Sequence, residues 1–321
     1  MSKVKKIILL LCTIFFIFFI FLLIKGAHSF SVVVNPNPNS LVKSLKKDER
    51  WDILILGMRG RTAPHGGMLT DSIIVFSYKK RDKKGALISI PRDLWVEIPG
   101  VGEKRINYAY VAGEMERKGK GIELAKKVVS NVTGLDIDFA IVGDVEALKE
   151  IVDILGGIDV YEERSFFVRF YGHKAWIHPG INHLSGSEVL AYVGNRSIDS
   201  DFGRMRRQQK VLQAIKEKAI AINLLKKPDK LFEIFNTISK HIQTDIPLSE
   251  MPEFLKTISS LKLEQLETLV IDTSNYLYST RGYNGAYILL PKKGDFSEIQ
   301  EACKNILEKS SQENSKFPSS F

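Results

Sequence analysis

Cysteine is almost missing from this chain. Its two cysteines, Cys12 and Cys303, lie far apart, and Cys12 is inside an apolar run. That excludes a disulfide framework and a cysteine-built metal site. Low-complexity tracts and internal repeats are missing too, which excludes fibrous and solenoid classes. Histidine numbers six. His173, His178 and His183 are evenly spaced, but no cysteine or acid cluster accompanies them, so they read as surface-loop residues rather than ligands. Acid is the minority charge: Lys+Arg 46 against Asp+Glu 37 gives +9. Such a balance favours anionic partners, whether nucleic acid, an acidic membrane surface or phosphates. With 44% hydrophobic and 26% charged residues in 321, the chain can bury a proper core in one large domain or two modest ones.

One run is as apolar as the rest is mixed. Ile7 to Ile24 reads IILLLCTIFFIFFIFLLI, eighteen residues without a charge. At about 1.5 Å per residue it reaches roughly 27 Å, enough to cross a bilayer core. Lys3, Lys5 and Lys6 precede it, while Lys25 follows. This bias holds the N-terminus in the cytoplasm and sends the remainder outside. A cleaved signal peptide is the alternative, but the run is long and GAHSF is a weak cleavage site. The expectation is a transmembrane signal anchor within 1–30, a single pass in the cell membrane. An Asn/Pro-rich linker at 31–50 then lifts an extracytoplasmic domain off the membrane.

Folded structure is expected from Trp51. WDILILGM, SIIVFSY and ALISIP are short β-rich runs, the first two separated by the glycine-containing loop RGRTAPHGGMLTD. GIELAKKVVSNVTG has helical spacing, IDFAIVG reads as a strand, DVEALKEIVDILGG as a helix closed by a glycine pair, and IDVYEE as a strand. This alternation predicts an α/β class, a layered sandwich around a central sheet. Arg169 to Ser185 reads as a loop, and SGSEVLAYV as a helix. A long helix is expected from Asp201 to about Leu225, with Met205, Leu212, Ile215, Ala219 and Ile222 as its apolar stripe. Further helices are expected near 229–240, 249–260 and 295–308, with strands near 266–271 and 286–290. The core unit is then 51–225, completed by 226–310, with a disordered tail at 311–321.

The segment RSIDSDFGRMRRQQ packs four arginines, two aspartates and two glutamines into fourteen residues. Arg204, Arg207 and Gln208 stand at i, i+3 and i+4, so they share a helix face, expected to lie opposite the apolar stripe. A solvated basic surface is the ordinary reading. Two other segments argue against it. Asp71 stands where a glycine-containing loop enters a β run, a place for an Asx-turn cap or for a carboxylate that ligates Mg²⁺ with phosphate oxygens. Arg92 and Asp93 follow a β run and a proline, at a strand's C-terminal end, where open α/β sheets bind ligands. Planar guanidinium forks suit phosphates. Acids interleaved among the arginines favour metal plus phosphate over the spread basic face of a nucleic-acid binder.

LGMRGRTAPHGGMLTDSIIV, ISIPRDLWVEIPGVGEKRINYAY, IVDILGGIDV and HLSGSEVLAYVGNRSIDSDFGRMRRQQKVL resemble, in order, the motifs of the LytR–CpsA–Psr family. The likeness runs from about Asp52 to Ala221 and continues more weakly to about residue 300. It implies an α/β/α fold around a mixed central sheet and a membrane-anchored phosphotransferase. Such an enzyme moves a glycopolymer from a polyprenyl-pyrophosphate carrier, whose tail lies in an apolar pocket, onto peptidoglycan. Mg²⁺ is the implied cofactor, with Mn²⁺ as a substitute. Asp71 matches the metal-binding aspartate, and Arg92, Arg196 and Arg204 match pyrophosphate arginines. Asp201 and Gln208 match polar residues beside them, Arg59 or Arg61 serves as the loop arginine, and Asp93 and Asp201 are the candidate general bases.

Two departures accompany the likeness. No acid stands between the first strand and Asp71, and Gly194 occupies the first position of the usual R-x-R. A protein that only holds the lipid-linked glycan, or a pyrophosphatase on the same lipid, is the alternative function. A nucleic-acid partner is not expected. Arg206 and Arg207 have no motif role and read as ordinary surface charge.

Overall fold

The computed structural model describes residues 50–308, apart from 61–66, 225–226, 248, 251–252, 255, 258–260, 262–265 and 284. The anchor at 1–30, the linker except Arg50, Arg61, the tail and parts of the helix expected near 249–260 lie outside the described residues. Among the described residues no helix is long and apolar enough to cross a membrane.

The chain begins with β1 (Arg50–Met58), β2 (Thr70–Lys79), β3 (Lys84–Ser89), β4 (Trp95–Ile98) and β5 (Gly102–Arg105), then α1 (Ala109–Glu116) and α2 (Gly121–Thr133). β6 (Phe139–Asp144), α3 (Val145–Leu155), β7 (Ile158–Glu162), β8 (Phe166–Phe170), β9 (His173–Ile177) and β10 (Gly180–Leu184) follow. Next come α4 (Gly186–Gly194), α5 (Asp201–Ala221), α6 (Pro228–His241), β11 (Ile242–Thr244), β12 (Leu266–Val270), β13 (Leu277–Arg281), β14 (Tyr287–Pro291) and α7 (Ser297–Asn305). The main sheet has the order β11-β6-β1-β2-β3-β12. β1 runs parallel to β6 and β3 parallel to β12, while the other neighbours are antiparallel, so the sheet is mixed.

Alternation along the strands divides the core between two faces. Leu54, Leu56, Val75 and Ile88 pack against Leu124, Val128 and Val132 of α2 and Ile299 and Cys303 of α7. Ile53, Ile74, Phe76 and Leu87 point the other way, with Leu212 of α5 packed only partly against them. The first face is filled. The second leaves space beneath α5. The helices are set locally: Asp144 caps α3 by accepting from the Ala147 N–H at 3.0 Å, and Ser185 and Glu188 form a capping box on α4. Gly134 and Gly156, both in the left-handed region, end α2 and α3.

Arg169–Ser185 is not a loop. Val168, Ala175 and Ile177 are buried while Phe167, Arg169, Lys174 and Trp176 face out, a period of two that builds β8 and β9. Tyr171 (φ 44) and Gly172 (φ 87) make the two-residue turn between them, both residues taking the positive φ of a hairpin turn. Glycines, histidines and a bulky turn tyrosine hide that alternation in the sequence. α5 ends at Ala221 rather than near 225, with Asn223 at φ 51.

Ile88 is fully buried between β3 and its helical cover. Ile88→Ala should lower unfolding stability by about 2–5 kcal/mol in urea denaturation, and an unchanged midpoint would contradict this packing.

Candidate functional site

The pairing of β1 with β2 breaks its register once: Gly57 faces Ser72, but Met58 faces Thr70. Asp71 is therefore the extra residue of a β-bulge, a device that re-aims a side chain at a sheet's end. Gly57 permits the close approach, since a Cβ there would stand 3.0 Å from the Ser72 Cβ. On the other side of β2, Ile74 pairs with Ser89 and the Ile90 N–H donates to the Ile73 carbonyl at 2.9 Å. Extending that register past Pro91 sets Arg92 opposite Asp71. Its Nη1 donates to Asp71 Oδ1 at 2.6 Å.

The loop between α4 and α5 adds the remaining groups. Arg196 Nη2 lies 3.6 Å from Asp71 Oδ2, and its Nε lies 3.6 Å from Asp201 Oδ1. Arg204, one turn into α5, donates from Nη2 to the Asp71 backbone carbonyl at 2.9 Å and to Asp201 Oδ2 at 3.1 Å. Asp201 also stands 3.7 Å from Arg92 Nε. Gln208 accepts from the Ser72 hydroxyl at 3.0 Å. Segments distant in the chain thus converge as Asp71, Arg92, Arg196, Asp201, Arg204 and Gln208.

Charge in this cluster is unbalanced. Burial pushes the Asp71 carboxyl up, but Arg92, Arg204 and Arg196 outweigh it and hold it below the usual carboxylate range. Arg204 is pulled down by its own burial and by Arg196 and Arg92, against the opposing pull of Asp201. Arg92 Nε, Arg204 Nε and Asp201 Oδ1 are buried without a hydrogen-bond partner. Unpaired guanidinium N–H groups beside two carboxylates and three arginines suit an incoming polyanion.

The cluster caps a cavity of about 320 Å³ whose polar wall includes Arg59, Asp71, Arg196, Arg204 and Gln208. A second cavity of about 490 Å³ lies farther along α5, lined by Phe76, Ala219, Ile220, Leu224 and Phe254. Ile55, Ile141, Leu212 and Ile215 belong to both walls, so the two cavities adjoin between α5 and the sheet. The arginines do not lie opposite the apolar stripe of α5, contrary to expectation. Arg204, Gln208, Val211, Leu212, Ile215 and Ala219 recur at helical spacing on one cavity-facing stripe, polar at its N-terminal end and apolar beyond.

Arg207 is not surface charge. It is 4% exposed, and it donates to the Tyr192 carbonyl at 2.8 Å and to both Asp199 oxygens at 2.5 and 2.6 Å. Another N–H reaches the Asn195 carbonyl at 2.5 Å, so Arg207 pins the loop that carries Arg196. Arg206 is the surface residue, paired with Asp272 at 2.6 Å. Asp93, 8% exposed, lies 3.2 Å from Arg105 and 3.6 Å from Arg92, and is outside the cavity wall. Arg59 donates to the Tyr171 hydroxyl at 2.7 Å.

Sequence reasoning missed Phe170, Tyr171 and Asp144. Asp144 lines the same cavity and pairs with His241 at 3.0 Å. Its segment was legible as a helix, but its place in the wall was not. Phe170 explains Gly194: a Cβ on Gly194 would stand 2.3 Å from the ring's Cγ. The ring fills the space that an arginine side chain would enter. No spacing rule links the two positions, 24 residues apart.

Gly194→Arg is therefore expected to lose stability rather than gain a phosphate contact, while adding Phe170→Ala should recover most of the loss in a thermal melt. A loss that Phe170→Ala does not relieve would overturn the pairing. Asp71→Asn removes a carboxylate whose folded value is lowered, so its contribution is present above the usual carboxylate range and vanishes as pH falls through the folded value. The variant should be less stable than the parent at pH 7, with the gap closing in acid. An equal gap at every pH would contradict the ion pairing.

The LytR_cpsA_psr family model matches residues 23–305. The polyisoprenyl-teichoic acid–peptidoglycan teichoic acid transferase TagU of Bacillus licheniformis is 31% identical over 268 residues, spanning 78% of this chain and 81% of that protein. TagU of Enterococcus faecalis is 29% identical over 287 residues, spanning 83% and 89%. Among solved structures, Bacillus subtilis TagV is 25% identical with a TM-score of 0.64, over 82% of this chain and 99% of that one. TagT bound to LIIa-WTA is similar in fold, with a TM-score of 0.65 at 22% identity, over 86% and 100%.

Proposed function

The chain belongs to the LytR_cpsA_psr family, and from that premise we propose that it transfers a glycopolymer from a polyprenyl-pyrophosphate carrier onto peptidoglycan outside the membrane. One observation carries this reading. The cavity stripe of α5 begins with Arg204 and Gln208 and continues with Leu212, Ile215 and Ala219. That wall complements an amphiphile with an anionic head and a long hydrocarbon tail. The TagU relatives are named as teichoic acid transferases acting on peptidoglycan. The apolar run at Ile7–Ile24 supports an anchored, extracytoplasmic domain beside such a lipid.

The chemistry asked of the protein is mainly arrangement. Arg92, Arg196 and Arg204 hold the two phosphates and offset the charge that builds on them. An acceptor sugar hydroxyl attacks the phosphorus nearest the glycan. A new P–O bond forms, the bond from that phosphorus to the bridging oxygen breaks, and polyprenyl phosphate leaves with the electron pair. Asp201 takes the hydroxyl proton in this scheme, because it adjoins Arg196 and Arg204, whereas Asp93 is turned to Arg105. Arg207 and Phe170 act behind these groups, fixing the loop and filling the gap at Gly194.

The donor set bears on the metal. Among the described residues no group of three or more His, Cys, Asp and Glu gathers, and both Asp71 oxygens face arginines. One carboxylate with phosphate oxygens and water fits Mg²⁺, or Mn²⁺ as a substitute, arriving with the substrate rather than residing alone. Bound at Asp71, the ion would supply further charge neutralisation at the pyrophosphate.

Two outcomes test this reading. Full-length protein with lipid-linked glycan, Mg²⁺ and peptidoglycan fragments should transfer the glycan; Arg92→Ala should cut the rate by about 100-fold or more, judged by the loss of a preorganised donor, and Asp71→Ala should also slow it by removing the carboxylate that orders the arginines. Transfer at the parent rate by both variants would sink the site assignment, and lipid binding without transfer by the parent would favour the holding protein. Mg²⁺ should raise the melting temperature only when polyprenyl pyrophosphate is also present; a rise with Mg²⁺ alone would contradict a substrate-borne ion.

A further inference from the structure

The β8–β9 hairpin turns two chemically different faces. Its inner face carries Val168, Ala175 and Ile177 into the core around α4. Its tip reaches the site: Phe170 lines the cavity, and the Tyr171 hydroxyl holds Arg59. Among the described residues nothing covers its outer face. Phe167 and Trp176 sit directly across from one another with rings 5.2 Å apart, yet are 41% and 64% exposed. Arg169 and Lys174 are the next cross-strand pair toward the tip, two like charges opposite one another. Among the described residues neither has an acidic side chain within ion-pair distance, and such a pair costs stability unless an anion lies over it.

From this we infer that the outer face of β8–β9 is the acceptor-strand subsite, which seats a carboxylate-bearing polysaccharide and leads it toward the arginine cluster. The inference rests on the transferase reading, in which a peptidoglycan strand must reach the phosphates. Exposed flat rings offer apolar area to the C–H faces of pyranose sugars, and paired cations offer ion pairs to the carboxylates a stem peptide carries. The hairpin is also rigid. Asn195 Nδ2 donates to the Arg169 carbonyl at 3.1 Å, His173 Nδ1 lies 2.8 Å from Ser187 Oγ, and Ser165 donates to the Ile177 carbonyl at 3.1 Å. Because Asn195 also accepts from Arg207, the hairpin and the loop bearing Arg196 are fixed to the same residue. A preformed aromatic surface loses little entropy on binding. An anionic membrane is the other surface that aromatic and basic residues suit, but continuity with the cavity mouth through Phe170 and Tyr171 favours the acceptor.

The test uses full-length protein in detergent with purified peptidoglycan strands, the same strands with their carboxyls amidated, and phosphatidylglycerol vesicles. Trp176→Ala and the pair Arg169→Gln with Lys174→Gln should each weaken strand binding by about tenfold or more, the size of an interface hot spot. Affinity for polyprenyl phosphate should stay unchanged and the melting temperature should not fall in the charge variant, where a repulsive pair is removed, which keeps misfolding out of the result. In transfer, KM for the acceptor should rise with kcat little altered, and amidation should weaken binding to the parent but not to the charge variant. Unchanged strand binding in both variants overturns the subsite, as does loss of vesicle binding with strand binding intact. If the parent binds strands through this face but transfers nothing, the subsite stands and the transferase reading fails. If the parent binds no strands, the subsite fails whatever the transfer rate.

Discussion

The ion pair between Asp71 and Arg92, 2.6 Å long, is the contact on which the site depends. Three guanidiniums cannot share a partly buried rim without counter-charge, and Asp71 meets all three: Arg92 and Arg196 at its carboxylate, Arg204 at its carbonyl. The bulge that isolates Asp71 from the β1–β2 ladder and the register that carries β3 out to Arg92 are what make the contact possible. Asp201 extends the arrangement by bridging the same arginines from the first turn of α5, where a helix dipole also favours negative charge. Polar order at the rim is therefore a product of strand register, not of the arginine-rich segment alone.

α5 joins that rim to the apolar interior. Its N-terminal turn serves the charge cluster, Gln209 bonds to the Leu87 and Leu269 carbonyls across the sheet, and its later turns stand off far enough to leave the second cavity. A helix that packed its apolar stripe fully on Ile53, Phe76 and Leu87 would gain burial and lose the cavity. Leaving that face underfilled forgoes cohesive packing, which in the proposed function a hydrocarbon tail restores. Fold and function meet in this one helix, whose cavity face changes from guanidinium to methyl along its length.

Much of this was legible in the sequence. WDILILGM, SIIVFSY and ALISIP form the strands expected of them, and Asp71, Arg92, Arg196, Asp201 and Arg204 meet in space. Three features were not legible, for physical reasons. Helical spacing shows which residues share a face but not what faces it, so Arg207 read as ordinary surface charge although it is buried. The β8–β9 hairpin has a two-residue alternation interrupted by glycine, which loop composition masks. Gly194 read as a lost guanidinium, whereas the ring of Phe170, brought there by that same hairpin, fills the space.

The central claim is that one passage holds the hydrocarbon tail while the arginines hold the phosphate head. Equilibrium binding of polyprenyl phosphate to the parent, to Leu212→Trp and to Arg204→Gln tests it most directly. Leu212 lies where the two cavities meet, so an indole there blocks the tail without touching the charges. The account predicts that both variants lose binding, with a short-chain phosphate still bound by Leu212→Trp and not by Arg204→Gln. Full affinity for the long-chain lipid in Leu212→Trp would contradict it.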